Sequence, residues 1–504
     1  MSSRDGFLLG ARPSFARRAT GDGRIAVIDV GSNSVRLVVF DRAARTPAYF
    51  FNEKASCGLG AKIAETGLLD PAGVEQALAT LRRFVALADR MHVSALDAVA
   101  TAAVREARDG AAFVALVERE TGLRLRVIDG DEEARLSALG VLLGLPDAEG
   151  VAVDMGGASM EMAQIARGAV GRRITLALGP QRLSGLAGAG LRKRIDAEIA
   201  RGMAVVSGEG LPLYLVGGSW RAFTKIHMAR ARHPLRVIHA YRIAADEAAA
   251  FAEWVAGQTP EALKAASDIS GGRAATAPLA AAVLARVIAA HRPSAVVSSA
   301  FGLREGVYFE RLPRDLRLRD PLIEAARALE ATQARFPGFG EELAAFVAPV
   351  TATWDAAERR LAHAACLLND VNWRAHPDYR PVSCFETVTR ANLAGLDHPG
   401  RVFIGFALLN RYGGGKRSAD VAEALALLAS GPRERAKALG LALRLGAMLS
   451  ASAPGALSDA RLTILDGALD LTLGADLADL GGGVVEKRLK ALASALGLAP
   501  RLSS

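Results

Sequence analysis

Apolar residues in the first half of the chain fall into short, dense runs divided by polar turns. Ile25-Ala26-Val27-Ile28-Asp29-Val30 and Val35-Arg36-Leu37-Val38-Val39-Phe40 flank Gly31-Ser32-Asn33-Ser34, which predicts a β-hairpin with a tight polar turn. The pattern returns as Val151-Ala152-Val153-Asp154-Met155, Gly156-Gly157-Ala158-Ser159 and Met160-Glu161-Met162-Ala163. An offset of 154 − 29 = 125 pairs Asp29 with Asp154, Gly31 with Gly156, Ser34 with Ser159 and Arg36 with Glu161. Equal internal spacing predicts a duplication. Between the copies, Val74, Leu78, Leu81, Phe84, Val85 and Ala88 carry helical spacing over residues 71–91. Strands are predicted at 95–100 and 125–128, the latter opening through Asp129-Gly130-Asp131-Glu132-Glu133 into a helix. Two further strands end in glycine loops, at Gly217-Gly218-Ser219-Trp220-Arg221 and Phe301-Gly302-Leu303-Arg304-Glu305-Gly306. Ligands of α/β sheets gather at such strand ends.

Past Pro313 the strand signal disappears. Residues 314–320 read as a charged linker, and the remainder is Ala/Leu-rich with helical periodicity, broken at 376–381 and at Gly413-Gly414-Gly415. The division expected is a disordered basic tail (1–23), a first α/β lobe (24–136), a second (137–313) and an all-α domain (314–504).

Composition sharpens this. The chain has 504 residues, 51% hydrophobic and 23% charged, which excludes disorder for most of its length. A formal charge of +9 makes an anionic partner the first expectation. Three cysteines, Cys57, Cys366 and Cys384, show no CxxC spacing, which argues for a reducing cytoplasm. Apolar runs such as residues 402–409 fall short of the ~20 residues of a membrane span. The basic surface lacks interleaved aromatics, so no specific nucleic acid is expected.

Glycine, serine and asparagine in a turn offer backbone N–H and hydroxyl donors without bulky side chains, as a phosphate requires. One such turn is as readily a hairpin satisfying itself. Two at matched spacing, each after an Asp-ending strand, favour two lobes that clamp a phosphate and its metal.

These motifs, with Ala100-Thr101-Ala102-Ala103-Val104-Arg105, Gly130-Asp131-Glu132-Glu133-Ala134-Arg135 and Gly302-Leu303-Arg304-Glu305-Gly306, resemble the exopolyphosphatase/guanosine pentaphosphate phosphohydrolase family. The resemblance covers residues 24–313, and the C-terminal third resembles longer members with a domain related to HD phosphohydrolases. It implies duplicated actin-like (ribonuclease H-like) lobes followed by an all-α HD-like domain. The implied activity is Mg2+-dependent hydrolysis of the terminal phosphate of inorganic polyphosphate, by a cytoplasmic protein that forms a homodimer. Guanosine pentaphosphate hydrolysis and catalytically silent polyphosphate binding are the alternatives.

By the same resemblance Glu132 is the general base, and Asp154 and Glu161 bind Mg2+ with Asp29 joining from the other lobe. Gly31, Ser32, Asn33, Ser34, Gly156, Gly157, Ala158 and Ser159 hold phosphate oxygens, and Arg36 and Arg105 neutralise them. From the residues alone, Glu132 is equally an ordinary first-turn acid, Asp29 equally a partner of its own turn, and Arg105 equally a solvated charge. Gly217, Gly218 and Arg221 match a loop that faces adenosine in actin-like ATPases, or form a plain strand-to-helix turn. In the C-terminal third, His363 and Asp370 share a helix face, but Asn369 precedes Asp370, so no His-Asp dipeptide exists and metal binding there is left open. His363, His376 and His398 with Arg374, Arg380, Arg401 and Arg411 mark either a polyanion track or a solvated basic face.

Overall fold

The computed structural model describes residues 23–414 and 418–503. The expectation of a disordered tail therefore lies, Gly23 apart, outside the described residues. The chain divides into two units, one formed by residues up to Ala231 with Ile238–Leu318, the other by Arg232–Val237 with the residues from Arg319 onward.

The first unit carries two sheets. The first contains β1 (Arg24–Val30), β2 (Ser34–Phe40), β3 (Tyr49–Ser56), β4 (Val93–Ala100) and β5 (Arg126–Val127), in the order 3-2-1-4-5. The second contains β6 (Gly150–Met155), β7 (Met160–Ala166), β8 (Ala169–Leu176), β9 (Leu213–Val216), β10 (Tyr241–Ala244) and β11 (Ala295–Ser298), in the order 10-11-9-6-7-8. In each, three antiparallel strands are followed by parallel additions on the far side of the first. Read from the opposite edge, the second sheet repeats the first and adds β10. The predicted duplication is thus a duplication of topology, and register confirms the offset: Asp29 stands opposite Arg36 and Asp154 opposite Glu161.

The central strands are apolar without alternation because both faces are covered. Ile25, Ala26, Val27 and Ile28 are each at most 1% exposed. The helix Pro71–Arg90 packs Leu81, Phe84 and Ala88 into the first core, and it begins with Asp70 accepting from the Gly73 N–H and proline at its first position. The helix Gly271–His291 is long and apolar enough to cross a membrane by length and composition. Ala274, Ala277, Ala281, Leu284 and Ile288 place it in the core of the second lobe, which accounts for its apolarity.

Two predicted boundaries move. The 136/137 division cuts the helix Gly130–Gly144; the sheets themselves end at Val127 and begin at Gly150. The 313/314 division moves to 318/319, because residues 314–317 form a short helix instead of a linker.

The C-terminal unit is helical around the strongly buried helix His398–Arg411. Its exclusively helical character is not borne out. β12 (Ala460–Leu465), β13 (Ala468–Leu473) and β14 (Ala499–Ser503) form a three-stranded sheet, whose inward residues Leu462, Leu469 and Leu471 join the helical core. Alternation over six residues inside an Ala/Leu-rich background is masked by the helical periodicity around it. Residues 232–237 enter the same core through Leu235, and His233 Nε2 lies 2.7 Å from His398 Nδ1.

Candidate functional site

The two hairpin turns are built alike. The first glycine of each donates to the carbonyl of the serine three residues on, Gly31 to Ser34 and Gly156 to Ser159, both at 3.0 Å. The loop after the third strand of each sheet then takes up the turn carbonyls. Gly60 donates to Ser32 at 2.8 Å and Cys57 to Asn33 at 3.0 Å; Gln181 donates to Gly157 at 2.9 Å and Gly179 to Ala158 at 3.3 Å. Among the described residues, the N–H groups of Ser32, Asn33, Gly157 and Ala158 have no partner from the chain. Both turns therefore present open donors of the kind that bind phosphoryl oxygens. Ala158 is not among the residues with positive φ, so alanine fits where glycine's freedom is not needed.

Carboxylates gather beside the second turn. Asp154 and Glu161 face each other across β6 and β7. Ser137, one helical turn beyond Glu133, donates to Asp154 Oδ2 at 2.5 Å. Glu133 is 8% exposed and Glu161 2%. Burial pushes Glu133 up to about 7, with the Arg105 guanidinium 3.1 Å away opposing the rise and Asp154 and Asp29 adding to it. Burial, then Glu133 and Asp154, raise Glu161 well above the usual carboxylate range. Asp154 rises for the same first reason, against the Ser137 hydrogen bond. Glu161 Oε1 is buried without a hydrogen-bond partner. An orphaned carboxylate oxygen costs several kcal/mol unless a proton or cation meets it. No three His, Cys, Asp or Glu side chains form a ready metal cage among the described residues. The donors present are nevertheless all hard oxygens, as Mg2+ prefers, and that ion commonly takes only one or two protein carboxylates with phosphate and water.

Glycine sets the approach of the surrounding elements. A Cβ on Gly306 would stand 1.7 Å from the Leu136 carbonyl, and one on Gly140 2.1 Å from the Gly302 carbonyl. The helix that begins beside Glu133 and the helix Leu303–Arg311 are thereby locked in backbone contact. Gly217, at φ 101°, lies where a Cβ would meet Asp154 Oδ1 at 2.6 Å, so the glycine loop packs against the acid.

Cations line the other side. Arg304 pairs with Asp29 at 2.7 Å. Arg36 donates to Asn52 Oδ1 at 2.8 Å, Arg221 to the Ala300 carbonyl at 2.5 Å, and the Arg273 guanidinium fills the space a Cβ on Gly218 would need. Burial, then Arg304 and Arg221, push Arg36 down to about 10. Arg221 is lowered by burial and Arg304, and Arg273 by burial and Arg221. Four guanidinium groups from both lobes thus repel one another across a small space.

The sequence-predicted residues sort accordingly. The turns and Asp154 with Glu161 come together. Glu132 does not join them: Arg135 grips its carboxylate at 2.7 and 2.8 Å and Arg126 stands at 3.3 Å, on the outer side of the helix. Glu133, its neighbour, faces the acids instead. The signal was present, since Arg135 sits at i+3 from Glu132 while Ser137 sits at i+4 from Glu133. Arg105 is neither a solvated charge nor directed at the turns; it binds Glu133 and the Ile128 carbonyl. Asp29, expected to join the metal from the other lobe, is paired with Arg304. Arg221 and Arg304 stand in the two glycine loops singled out in the sequence, without a role as cations there, and Arg273, in the first turn of the helix Gly271–His291, was not singled out.

In the C-terminal unit His363 pairs with Glu341 at 2.8 Å and Asp370 with Arg335, so those two residues do not converge. Arg401 is fully buried and donates to the carbonyls of Ala391 and Leu393, a structural role and no part of a basic face.

Two lobes of common topology, each with a glycine turn against a strand-end Asp, define a phosphotransfer fold of the actin-like class. Known proteins agree. The Ppx/GppA phosphatase family model matches residues 38–315, and that of the exopolyphosphatase C-terminal domain residues 322–502. Exopolyphosphatase 1 of Mycobacterium tuberculosis is 30% identical over 202 residues, 38% of this chain and 59% of the relative. The match thus spans less than two thirds of that relative. Retrograde regulation protein 2 of Saccharomyces cerevisiae is 23% identical over 433 residues, 77% of this chain and 72% of that one. Among solved structures, the Aquifex aeolicus Ppx/GppA family member superposes with TM-score 0.50 at 24% identity, covering 56% of this chain and 96% of its own. An exopolyphosphatase from Cytophaga hutchinsonii gives 0.51 at 22%, covering 57% and 97%. The chain belongs to the Ppx/GppA phosphatase family.

Proposed function

We propose that the protein is an exopolyphosphatase that removes the terminal phosphoryl group of linear inorganic polyphosphate. The reading rests above all on the Glu133, Asp154 and Glu161 cluster, desolvated beside two turns with open N–H donors. In this reading the turns receive the terminal phosphoryl oxygens. Glu133 orients a water and takes its proton as the water oxygen bonds to phosphorus and the bridging P–O bond breaks, leaving inorganic phosphate and a chain one unit shorter. Asp154 and Glu161 would hold a divalent cation, taken as Mg2+ from the oxygen donor set, which would supply charge neutralisation at the phosphoryl oxygens. Arg36, Arg221, Arg273 and Arg304 receive the following phosphates, and their mutual repulsion is relieved by a run of negative charge.

Guanosine pentaphosphate would use the same parts, and no contact in the site favours it over polyphosphate. Phosphate release from both substrates, measured side by side with and without chelator, tests the reading. Release from polyphosphate that vanishes with chelator supports it; none from polyphosphate under any divalent cation overturns it. A cytoplasmic location accords with three free cysteines. The homodimer is tested by the solution mass of the full chain.

A further inference from the structure

Asp154, Glu161 and Thr175 stand directly opposite one another on β6, β7 and β8, so their side chains form one row, spaced about 5 Å apart, on a single face of the second sheet. The helix Gly130–Gly144 lies along that row. Its residues Gly130, Glu133 and Ser137, spaced three and four apart, share one side of the helix. Ser137 donates to Asp154 at 2.5 Å, Glu133 presses electrostatically on Glu161, and a Cβ on Gly130 would overlap the Thr175 hydroxyl. Arg173, two residues before Thr175, fastens this end of the helix by donating to the Asp131 carbonyl at 3.2 Å and to Asp131 Oδ2 at 2.8 Å.

The row is satisfied at one end only. Asp154 has the Ser137 hydroxyl, whereas Glu161 Oε1 and Thr175 Oγ1 are both buried without a hydrogen-bond partner among the described residues. They do not bond each other. Two orphaned oxygens on facing residues carry a desolvation cost that the chain itself does not offset. Glycine at 130 leaves the hydroxyl the space a side chain would take, while the helix backbone covers it. In the first sheet the same row holds Asp29, Arg36 and Lys54, two cations beside the acid. In the second sheet every member is an oxygen donor, and hard cations take carboxylate and hydroxyl oxygens together.

We infer that Thr175 belongs to the oxygen set that holds the divalent cation, its hydroxyl completing that set beside Glu161 Oε1. That role rests on the cation site of the exopolyphosphatase reading and is independent of which substrate the turns receive.

The test titrates the full chain, without substrate, with Mn2+, an oxygen-preferring ion whose free form is read by electron paramagnetic resonance. Thr175→Val, which keeps the outline and removes the hydroxyl, is expected to bind Mn2+ about tenfold more weakly, and Thr175→Ser to bind it close to the parent. In chelator Thr175→Val should melt no lower than the parent, because removing a buried hydroxyl that has no partner costs little. Added Mn2+ should then raise the melting temperature of the parent more than that of Thr175→Val. Unchanged Mn2+ affinity in Thr175→Val, no recovery in Thr175→Ser, a lower melting temperature of Thr175→Val in chelator, or no Mn2+ binding by the parent each overturns the proposal. Phosphate release from polyphosphate by the parent is measured alongside. A parent that cleaves polyphosphate while Thr175→Val binds Mn2+ undiminished loses the role of Thr175 alone; a parent that releases no phosphate while Thr175→Val loses the ion loses the exopolyphosphatase reading alone.

Discussion

The β1–β2 and β6–β7 hairpins share turn bonds and bracing loops, yet their strand-end carboxylates live differently. Asp29 faces Arg36 across the ladder and is paired with Arg304. Asp154 faces Glu161 and lies near Glu133, and among the described residues a serine hydroxyl donates to it. One copy pairs its carboxylate with an arginine; the other gathers three buried carboxylates, of which Glu133 alone has an ion-pair partner, Arg105. A duplicated frame has thus been divided into a side whose carboxylate is paired with an arginine and a side that gathers carboxylates. Residue 125 positions apart, arginine against glutamate, makes that difference.

Glu133→Gln should break the site most severely. It keeps the shape and removes the proton acceptor, so turnover on polyphosphate is expected to fall ~10²–10⁴-fold with binding retained; steady-state kinetics beside a binding measurement checks this. Turnover within a few-fold of the parent removes Glu133 from the mechanism.

Next comes the contrast between the copies. Asp154→Asn should raise the Mg2+ concentration for half-activity by about tenfold or more, as expected when one of few carboxylate ligands is lost. Asp29→Asn should leave that titration in place and weaken substrate binding through the freed Arg304. Equal effects on the metal titration would erase the division between the lobes.

A smaller effect follows from pH. Because burial holds Glu133 up to about 7, a base role requires activity to rise with pH through neutrality, with the midpoint moving down as cation is added. The raised value also means that the folded site keeps a proton the unfolded chain gives up above about 4.5. Between those values the metal-free protein loses stability as pH rises. In chelator at pH 8, Glu133→Gln should therefore melt higher than the parent.

Smallest is Glu132→Gln, which loosens the grip of Arg135 at the outer helix face. A partly exposed ion pair of this kind is worth about 0–1 kcal/mol, and turnover is expected within a few-fold of the parent. A collapse comparable to that of Glu133→Gln would return the base to Glu132.

That pair shows what the sequence could and could not disclose. The twin turns, the offset and the Asp154 to Glu161 pairing were legible because strand periodicity and register are local and repeated. Which of two adjacent glutamates faces inward was not, since they lie about 100° apart on a helix and both suit a first turn. Of the arginine cluster only Arg36 was given a phosphate-facing role from the sequence, and the convergence of the four was not legible for a different reason. Arg36, Arg221, Arg273 and Arg304 are distant along the chain, and only the packing of the glycine loops brings them together. In the C-terminal unit, β12 and β13 pair with each other across Asp466-Gly467, a local hairpin signal that goes unread within a helical composition; only β14, from Ala499, is a distant partner.

The six residues Arg232–Val237 place a constraint on the order in which the protein is made. They leave the ribosome well before the unit whose core receives Leu235, and residues 238–318 of the first unit follow them. The first unit can close its second sheet only around a segment still waiting for its host, so the two units cannot mature as a simple succession. For the same reason a break at 318/319 does not yield two complete pieces: the C-terminal fragment would lack a side chain of its own core, and a nascent chain stalled there would carry an apolar residue with nowhere to go.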